Sequence, residues 1–522
     1  MHTPAVDLFI IGGGINGCGI ARDAVGRGYS VKLAEMNDLA SATSSASTKL
    51  FHGGLRYLEY GEVRLVREAL IERETLLHAM PHISWPMRFV LPYHADMRFD
   101  TNTPASRLLA FIMPWMKGRR PAWMIRLGLF LYDNLGGRKI LQGTKTLCLQ
   151  NTPEGEPLKN HFKKAFEYSD CWVEDARLVV LNARDAAARG AVIMVQTKVT
   201  AANHINGLWH ITTEGPDGKQ THTAKMIVNA GGPWVENLIH KTIRLNSSEG
   251  IRLVRGSHIV TKQLYDHNKC YFFQGKDGRI IFTIPYEDDF TLIGTTDTDH
   301  KNASTYPTCT PEETNYLINF VNEYLKQNLT VGDVVWTYSG VRPLYEDGAS
   351  SASAATREYV LRVNTSMGGP VLTVFGGKIT TYRKLAEAAL SAINETLQNT
   401  APNWTAGIAM PGGDFPVNGV TNLRVALAKQ LPFLTTKTIN RLIRQYGTEA
   451  THIFADIKNV ADLGTDFGNG IFQTELDWAI ANEWVRTGED FLWRRSKLGL
   501  RTEQEQQTKI DTYCRKASCT VA

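Results

Sequence analysis

Two spacings of apolar residues recur along the 522-residue chain. The first element is a short apolar run, Asp7-Leu8-Phe9-Ile10-Ile11, which ends in Gly12-Gly13-Gly14 and reads as a strand. Residues 15–28 read as a helix, and Ser30-Val31-Lys32-Leu33-Ala34 reads as a second strand. Over 61–80 the spacing becomes helical, with Val63, Leu65, Val66, Leu70, Leu76 and Leu77 on one face. Further strands are predicted at 191–200, 207–213, 225–230, 251–261, 278–285, 290–295, 358–364 and 371–375. Further helices are predicted at 176–189, 311–328 and 381–398. Mixed strands and helices through residue 398 predict an α/β or α+β body. Residues 399–420, rich in Pro, Gly, Asn and Thr, read as a linker. Helical patterns at 421–431, 435–446, 449–459, 473–487, 488–498 and 503–516 then predict a helical domain over 421–522.

Length and composition narrow the class. A chain this long is expected to form two to four domains. Apolar residues at 43% and charged residues at 21% argue for a folded globular protein. The formal charge of +5, from 57 Lys or Arg against 52 Asp or Glu, is too small to indicate nucleic-acid binding. Seven cysteines form no CxxC pair, so a reducing compartment is expected, without disulfide scaffold or zinc ribbon. There is no HExxH and no ligand-like spacing of His and Cys, and no metal is expected. The residues before the first strand lack a basic n-region and a cleavage site, so no signal peptide is expected. No run of 18 apolar residues predicts a membrane-spanning helix.

The chemistry begins at Gly12-x-Gly14-x-x-Gly17, which follows a strand and opens a helix. The first glycine permits a tight turn, the second lets backbone approach a pyrophosphate, and the third allows close helix–sheet packing. The phosphates would sit at the helix N-terminus. Glu35, closing the second strand, can accept hydrogen bonds from a ribose. This fingerprint does not separate NAD from FAD. Residues 41–57, Ser-Ala-Thr-Ser-Ser-Ala-Ser-Thr-Lys-Leu-Phe-His-Gly-Gly-Leu-Arg-Tyr, favour FAD. Small hydroxyl residues supply donors without bulk, and Gly53 and Gly54 allow close approach to a planar ring.

At this point the sequence resembles the FAD-dependent glycerol-3-phosphate dehydrogenases, respiratory bacterial flavoproteins. The matching stretches are IIGGGINGCGIARDAVGRG (10–28), TSSASTKLFHGGLRYLE (43–59), FEYSDCWVEDARL (166–178), VNAGGPWV (228–235), GIRLVRGSHIV (250–260), WTYSGVRPL (336–344), FGGKITTYRKLAE (375–387) and GEDFLWRRSKLGL (488–500). Residues 96–119 look like an insertion relative to the family. The resemblance implies a Rossmann-like, glutathione-reductase-type FAD-binding domain built from 1–80, 165–247 and 340–398. It implies an interleaved mixed-sheet substrate- and membrane-facing domain from 81–164 and 248–339, the 399–420 linker and the C-terminal helical domain. It further implies oxidation of sn-glycerol 3-phosphate to dihydroxyacetone phosphate, with hydride passing to FAD and electrons to a quinone.

Residue by residue, the fingerprint and the resemblance together assign FAD contacts to Gly12, Gly13, Gly14, Ile15, Asn16, Gly17, Glu35, Met36, Thr43, Ser44, Ser45, Lys49, Leu50, His52, Gly53, Gly54 and Val199. The same assignment covers Ala230, Gly231, Trp234, Gly340, Gly377, Lys378, Ile379 and Thr380. Gly231-Gly232-Pro233-Trp234 fits either a second backbone approach to FAD or a plain β-turn. A phosphorylated substrate needs positive charge, and an alcohol oxidation needs a base. Arg342, in Ser339-Gly340-Val341-Arg342-Pro343, offers a planar fork to a phosphate, and Arg357 is a second candidate. Arg56, Tyr57, Lys378 and Thr380 complete the expected substrate contacts, and His258 or Lys378 is the expected base, with Arg342 and Tyr57 also placed in the catalytic set. Cys171 and Trp172 read as packing residues.

Residues 107–132 mix Phe111, Trp115, Trp123 and Phe130 with Lys117, Arg119, Arg120 and Arg126. That pattern suits a membrane interface, and it also suits a core helix pair joined by a basic loop. Residues 94–139 hold eight Lys or Arg against three Asp, which accounts for the whole formal excess of the chain. The expected location is the cytoplasmic face of the inner membrane, as a peripheral protein, with a homodimer as the expectation on assembly. Two other functions stay open: an amine or amino-acid oxidase of the same fold using oxygen, and a non-catalytic flavin-binding protein. The second would dock through the C-terminal domain, where Trp484, Trp493, Arg494 and Arg495 either face a partner or pack inward.

Overall fold

The opening strand β1 (Val6–Ile11) lies in the middle of a sheet, and its alternate residues serve two different cores. Leu8 and Ile10 face helix α1 (Ile15–Gly26) and the helices Asp175–Ala188 and Tyr382–Leu397. Phe9 and Ile11 face Trp209, Ile211, Ile227 and Phe375 on the other side. A strand covered on both faces has no polar side, which is why this segment reads as a continuous apolar run. β1 pairs in parallel with β2 (Val31–Ala34) and with Gly218–Asn229. Beyond β2 comes the parallel strand Val192–Met194, and beyond Gly218–Asn229 come Val371–Phe375 and Val360–Asn364. A hairpin, Lys198–Ile205 with Leu208–Gly215, joins antiparallel to Gly218–Asn229. The structure, a computed structural model, describes residues 4–94, 97, 121–275, 279–346 and 358–521. Arg357, the Arg56 side chain, residues 107–120, and the apparent insertion at 96–119 apart from Met97, lie outside the described residues.

A second, ten-stranded sheet has at its centre Ile251–Lys262, Phe290–Gly294, Ile280–Tyr286, Cys270–Gln274, Ser84–Tyr93 and Lys164–Val173, in that order. Val334–Tyr345 pairs antiparallel along Ile251–Lys262, with Gly340 opposite Gly256 and Arg342 opposite Val254. Seven of this sheet's strands go beyond those the apolar pattern predicts: Leu50–Phe51, Ser84–Tyr93, Lys145–Cys148, Lys164–Val173, Cys270–Gln274, Thr298–Asp299 and Val334–Tyr345. Ser84–Tyr93 carries Pro86 and Pro92, which argue against a central strand. They are tolerated because its parallel neighbour pairs only at Phe89 and Val90. Gly340 and Pro343, which flank Arg342, both lie within the strand Val334–Tyr345. The predicted strand at 191–200 divides into Val192–Met194, in the first sheet's parallel edge, and the start of the hairpin.

The C-terminal segment is helical, with helices Val420–Gln430, Thr436–Tyr446, Glu449–Ile453, Gln473–Asn482 and Gln504–Val521 around two small cores. The predicted helices at 449–459 and 473–487 end early, at Ile453 and Asn482. Residues 490–495 form a single wide π-turn instead of an α-helix. This turn carries Arg494 and Arg495 inward onto one carboxylate, Asp38, at 2.5 and 2.7 Å. Arg177 pairs with Glu483 at 2.5 Å, and Arg184 with Glu449 at 2.6 Å. The 399–420 segment lies along the body: Trp404 Nε1 donates to Asp23 O, and Met410 N–H donates to Ala79 O.

Candidate functional site

A cavity of about 970 Å³, lined from both sheets, begins at the end of β1. Gly12 leaves the strand at φ +115°, and a Cβ there would lie 2.4 Å from Ala230 O. A Cβ on Gly17 would lie 1.9 Å from Gly12 O. Only glycine fits at either position, so the turn closes tightly and α1 presents its N-terminus to the cavity. Gly14, Ile15 and Asn16 line the wall there. Asn16 Nδ2 donates to Gly376 O, while its buried Oδ1 has no hydrogen-bond partner among the described residues. Glu35 lies beside them and accepts from the backbone N–H of Gly13 at 2.7 Å and of Asn37 at 2.9 Å. Burial pushes its carboxyl up, against the pull of those donors. Met36, Val199, Ala230, Gly231 and Trp234 also line the cavity.

The segment 41–54 runs along the cavity, and Thr43, Ser44, Leu50, His52 and Gly54 line it. Ser44 Oγ accepts from Ile15 N–H at 3.0 Å, and Thr43 Oγ1 donates to Val341 O at 2.6 Å. Lys49 holds the segment from behind, with its backbone in the left-handed region at φ +59° and its ammonium fully buried. Lys49 Nζ donates to Asp175 Oδ1 at 2.7 Å and to Ser45 O at 3.0 Å. Asp175 Oδ2 accepts from Ser47 Oγ at 2.7 Å and from Ser47 N–H. Burial raises the Asp175 carboxyl, but the Lys49 and Lys497 charges and the hydrogen bonds outweigh it and hold the group below its usual range. At the other end of the segment, Gly53 N–H donates to Tyr132 Oη at 2.8 Å. Tyr132 in turn donates to Asp170, which is paired with Arg73 at 2.5 Å.

The remaining expected residues bring two cations to the lining. Arg342, Lys378, Ile379, Thr380, Tyr57, Gly340 and Gly377 all line the cavity. The Lys378 ammonium lies 3.9 Å from the centre of the Tyr57 ring. Arg342 is paired with Asp297, and its second Nη faces Thr295 Oγ1 at 3.3 Å. The sequence reading missed Asp297, Thr295, Arg279, Ser304 and Glu358, all of which line the cavity. A signal was present for two of them in Gly294-Thr295-Thr296-Asp297, a polar run directly after a strand.

Among the described residues, six of the expected site residues do not line the cavity: Gly13, Gly17, Ser45, Lys49, Gly53 and His258. The glycines, Ser45 and Lys49 act through backbone shape and hydrogen bonds, as described. His258 is a correction to its expected place as a base facing substrate. It shares a strand face with Gly256, which does line the cavity, but Thr48 covers it. His258 Nε2 and Thr48 Oγ1 are 3.0 Å apart, and the imidazole stacks on Tyr338 at 4.7 Å. Burial, reinforced by the Arg342 and Lys49 charges, holds it well below the usual histidine range, in the neutral form. Cys171 and Trp172 are buried packing residues.

Comparison with known proteins gives the family. Residues 7–383 match the FAD dependent oxidoreductase model, and 403–515 match the C-terminal domain of alpha-glycerophosphate oxidase. A D-erythritol 1-phosphate dehydrogenase from Brucella abortus is 46% identical, over 97% of each chain. The aerobic glycerol-3-phosphate dehydrogenase of Escherichia coli is 44% identical, again over 97% of each chain. The solved structure of the glycerol-3-phosphate dehydrogenase from Bacillus halodurans, complexed with FAD, is 26% identical. It superposes with a TM-score of 0.71, covering 100% of this chain and 96% of that one. The cofactor is FAD. The glycine turn, the α1 N-terminus, the Glu35 carboxylate and the unsatisfied Asn16 Oδ1 suit its pyrophosphate and ribose. Replacing Gly17 by Ala is expected to leave purified protein with less than about a tenth of the parent's FAD, read from the flavin-to-protein absorbance ratio, because the new methyl overlaps Gly12 O. An unchanged ratio would contradict this assignment of the turn. The chain thus belongs to the FAD-dependent oxidoreductase family, as an FAD enzyme of its glycerol-3-phosphate dehydrogenase group.

Proposed function

We propose that the enzyme oxidises the secondary hydroxyl of sn-glycerol 3-phosphate to the ketone of dihydroxyacetone phosphate and delivers the electrons to a membrane quinone. The observation that carries this reading is that Arg342 and Lys378 both line the cavity, with Lys378 over the Tyr57 ring and Thr380 in the lining as well. Two cations suit a phosphate dianion, whereas an amino acid offers one carboxylate and an ammonium that the second cation would repel. FAD, when bound, supplies the two-electron acceptor. Arg342 binds the phosphate in exchange for part of its pairing with Asp297, and Thr380 and Tyr57 orient the carbon chain. Of the two expected bases, Lys378 Nζ reaches the cavity directly, and His258 Nε2 reaches it only through Thr48 Oγ1.

A second reading is a four-carbon polyol phosphate, favoured by the 46% identity to a D-erythritol 1-phosphate dehydrogenase. Both substrates present the same phosphate and a neighbouring hydroxyl. Anaerobic mixing of the enzyme with each compound, followed by flavin absorbance, separates the readings. Glycerol 3-phosphate is expected to bleach the flavin at the lowest concentration, and amino acids are expected not to bleach it. Arg342→Ala is expected to raise the half-saturating concentration about 10- to 100-fold, the worth of charge-assisted hydrogen bonds. Bleaching by an amino acid alone would overturn the proposal, and tighter response to erythritol 1-phosphate would establish the second reading.

The membrane part of the proposal is supported by the helix Ala122–Leu135. Trp123, Leu127, Phe130 and Leu131 fall on one face of it and are 47–56% exposed, while Leu129 and Tyr132 are buried beneath. Among the described residues no helix is long and apolar enough to cross a membrane. A helix with an exposed aromatic face suits the plane of the interface. Joint replacement of Trp123 and Phe130 by Glu is expected to lower sedimentation with anionic phospholipid vesicles at least tenfold, since each ring contributes roughly 1.5–3 kcal/mol when buried. Unchanged sedimentation would remove this helix as the docking face.

A further inference from the structure

We propose that the C-terminal helical domain is a working part of the flavin site, in which Trp493 and Lys497 are positioning residues for the flavin-facing segment Ala46–Thr48 and for His258. This inference rests on FAD as the cofactor and needs no particular substrate.

The geometry is a continuous column of ring contacts, two stacked and the middle one tilted by 37°. Trp493, in the 490–495 turn, stacks on Trp336 with ring centres 4.5 Å apart and planes at 21°. Trp336 meets Tyr338 at 5.0 Å, and Tyr338 stacks on His258 at 4.7 Å and 11°. Trp336 and Tyr338 are two residues apart on one strand, so they share a face, and His258 faces Tyr338 across the antiparallel pairing. The column ends on the cavity wall at two points. Tyr338 Oη donates to Ser47 O at 2.8 Å, and His258 Nε2 bonds Thr48 Oγ1 at 3.0 Å. Ala46, Ser47 and Thr48 all line the cavity.

The outer end of the column is fixed as firmly as the inner one. Gly499 lies against the Trp493 indole so closely that a Cβ there would be 2.3 Å from the ring. Lys497, buried and in the left-handed region at φ +59°, donates from Nζ to Trp493 O at 2.5 Å. The Lys497 ammonium lies within the field of Lys49, Asp175, Glu174 and Glu287. Asp175 is the carboxylate that also holds Lys49 and Ser47. The C-terminal domain therefore reaches segment 46–49 through the rings, and Lys497 holds Trp493 at the outer end of that column. Aromatic rings are rigid, so removing Trp493 leaves Trp336 and Tyr338 without a backstop and lets Ser47 O and His258 move.

The test uses full-length holoenzyme and apoprotein with Trp493→Ala, Trp493→Phe and Lys497→Met. Visible circular dichroism reads the surroundings of the bound flavin, and FAD titration of apoprotein reads its affinity. Trp493→Ala is expected to alter the visible dichroism and weaken FAD binding at least tenfold. Trp493→Phe, which keeps a ring on Trp336, is expected to return both to within about threefold of the parent. Lys497→Met is expected to alter the dichroism in the same sense. Parent-like dichroism and FAD affinity in Trp493→Ala would overturn the proposal, as would a Phe variant no better than Ala. Should Trp493→Ala fail to accumulate, Trp493→Leu carries the same comparison, and parent-like values there overturn it equally. Because both readouts are taken without substrate, failure of the glycerol 3-phosphate reading leaves this test intact.

Discussion

The buried ion pair between Lys49 and Asp175 is the contact on which the cavity depends. Neither side chain touches solvent, and Lys49 adopts a left-handed backbone conformation that a non-glycine residue holds only when its surroundings enforce it. Taking two charges out of water is costly, and the short contact, the Ser45 carbonyl and the two Ser47 donors offset that cost. The result is a segment with its polar small residues turned toward the cavity and its one charge turned away. Without the pair, the hydroxyl-rich stretch would have no reason to lie along the cavity instead of in water.

The rest of the fold supplies fixed points on either side of that pair. The first sheet and α1 bring the glycine turn to one end, because β1 is buried on both faces and cannot shift register without exposing a core. The second sheet brings Arg342 and Asp297 to the other end through Val334–Tyr345 and the turn after Phe290–Gly294. Beyond Lys49, the Gly53 amide is held by Tyr132, whose helix carries an exposed aromatic face on its outer side. One helix thus carries an exposed aromatic face on its outer side and holds the turn at the cavity wall on its inner side, with Tyr132, Asp170 and Arg73 as the bonded link.

Local features were legible in the sequence, and features that depend on distant partners were not. The Gly12–Gly17 turn and Glu35 are encoded within one strand–helix–strand unit, so spacing alone placed them. Lys49 sits in a stretch that lines the cavity and reads as a ligand contact; only Asp175, far along the chain, shows that its charge points away. His258 lies two residues from a cavity glycine, and strand alternation alone would put it in the site, but Thr48 covers it. The strand that carries Arg342 was not legible, because the strand it pairs with comes from elsewhere in the chain. The aromatic and basic residues at 493–495 left partner docking and internal packing equally open. Trp336 and Asp38, which receive them, decide for packing.

The most direct test of this account is amide hydrogen exchange of the full-length holoenzyme carrying Lys49→Met, a change that keeps the side chain's length and removes its charge. Breaking a buried pair from one side typically costs about 3–5 kcal/mol, because the remaining carboxylate is left uncompensated. The account predicts that exchange quickens first and most within residues 43–54, with α1 and the strand Val371–Phe375 keeping parent protection. Parent-like protection across 43–54 would contradict it, since the segment would then be held by something other than the Lys49–Asp175 pair.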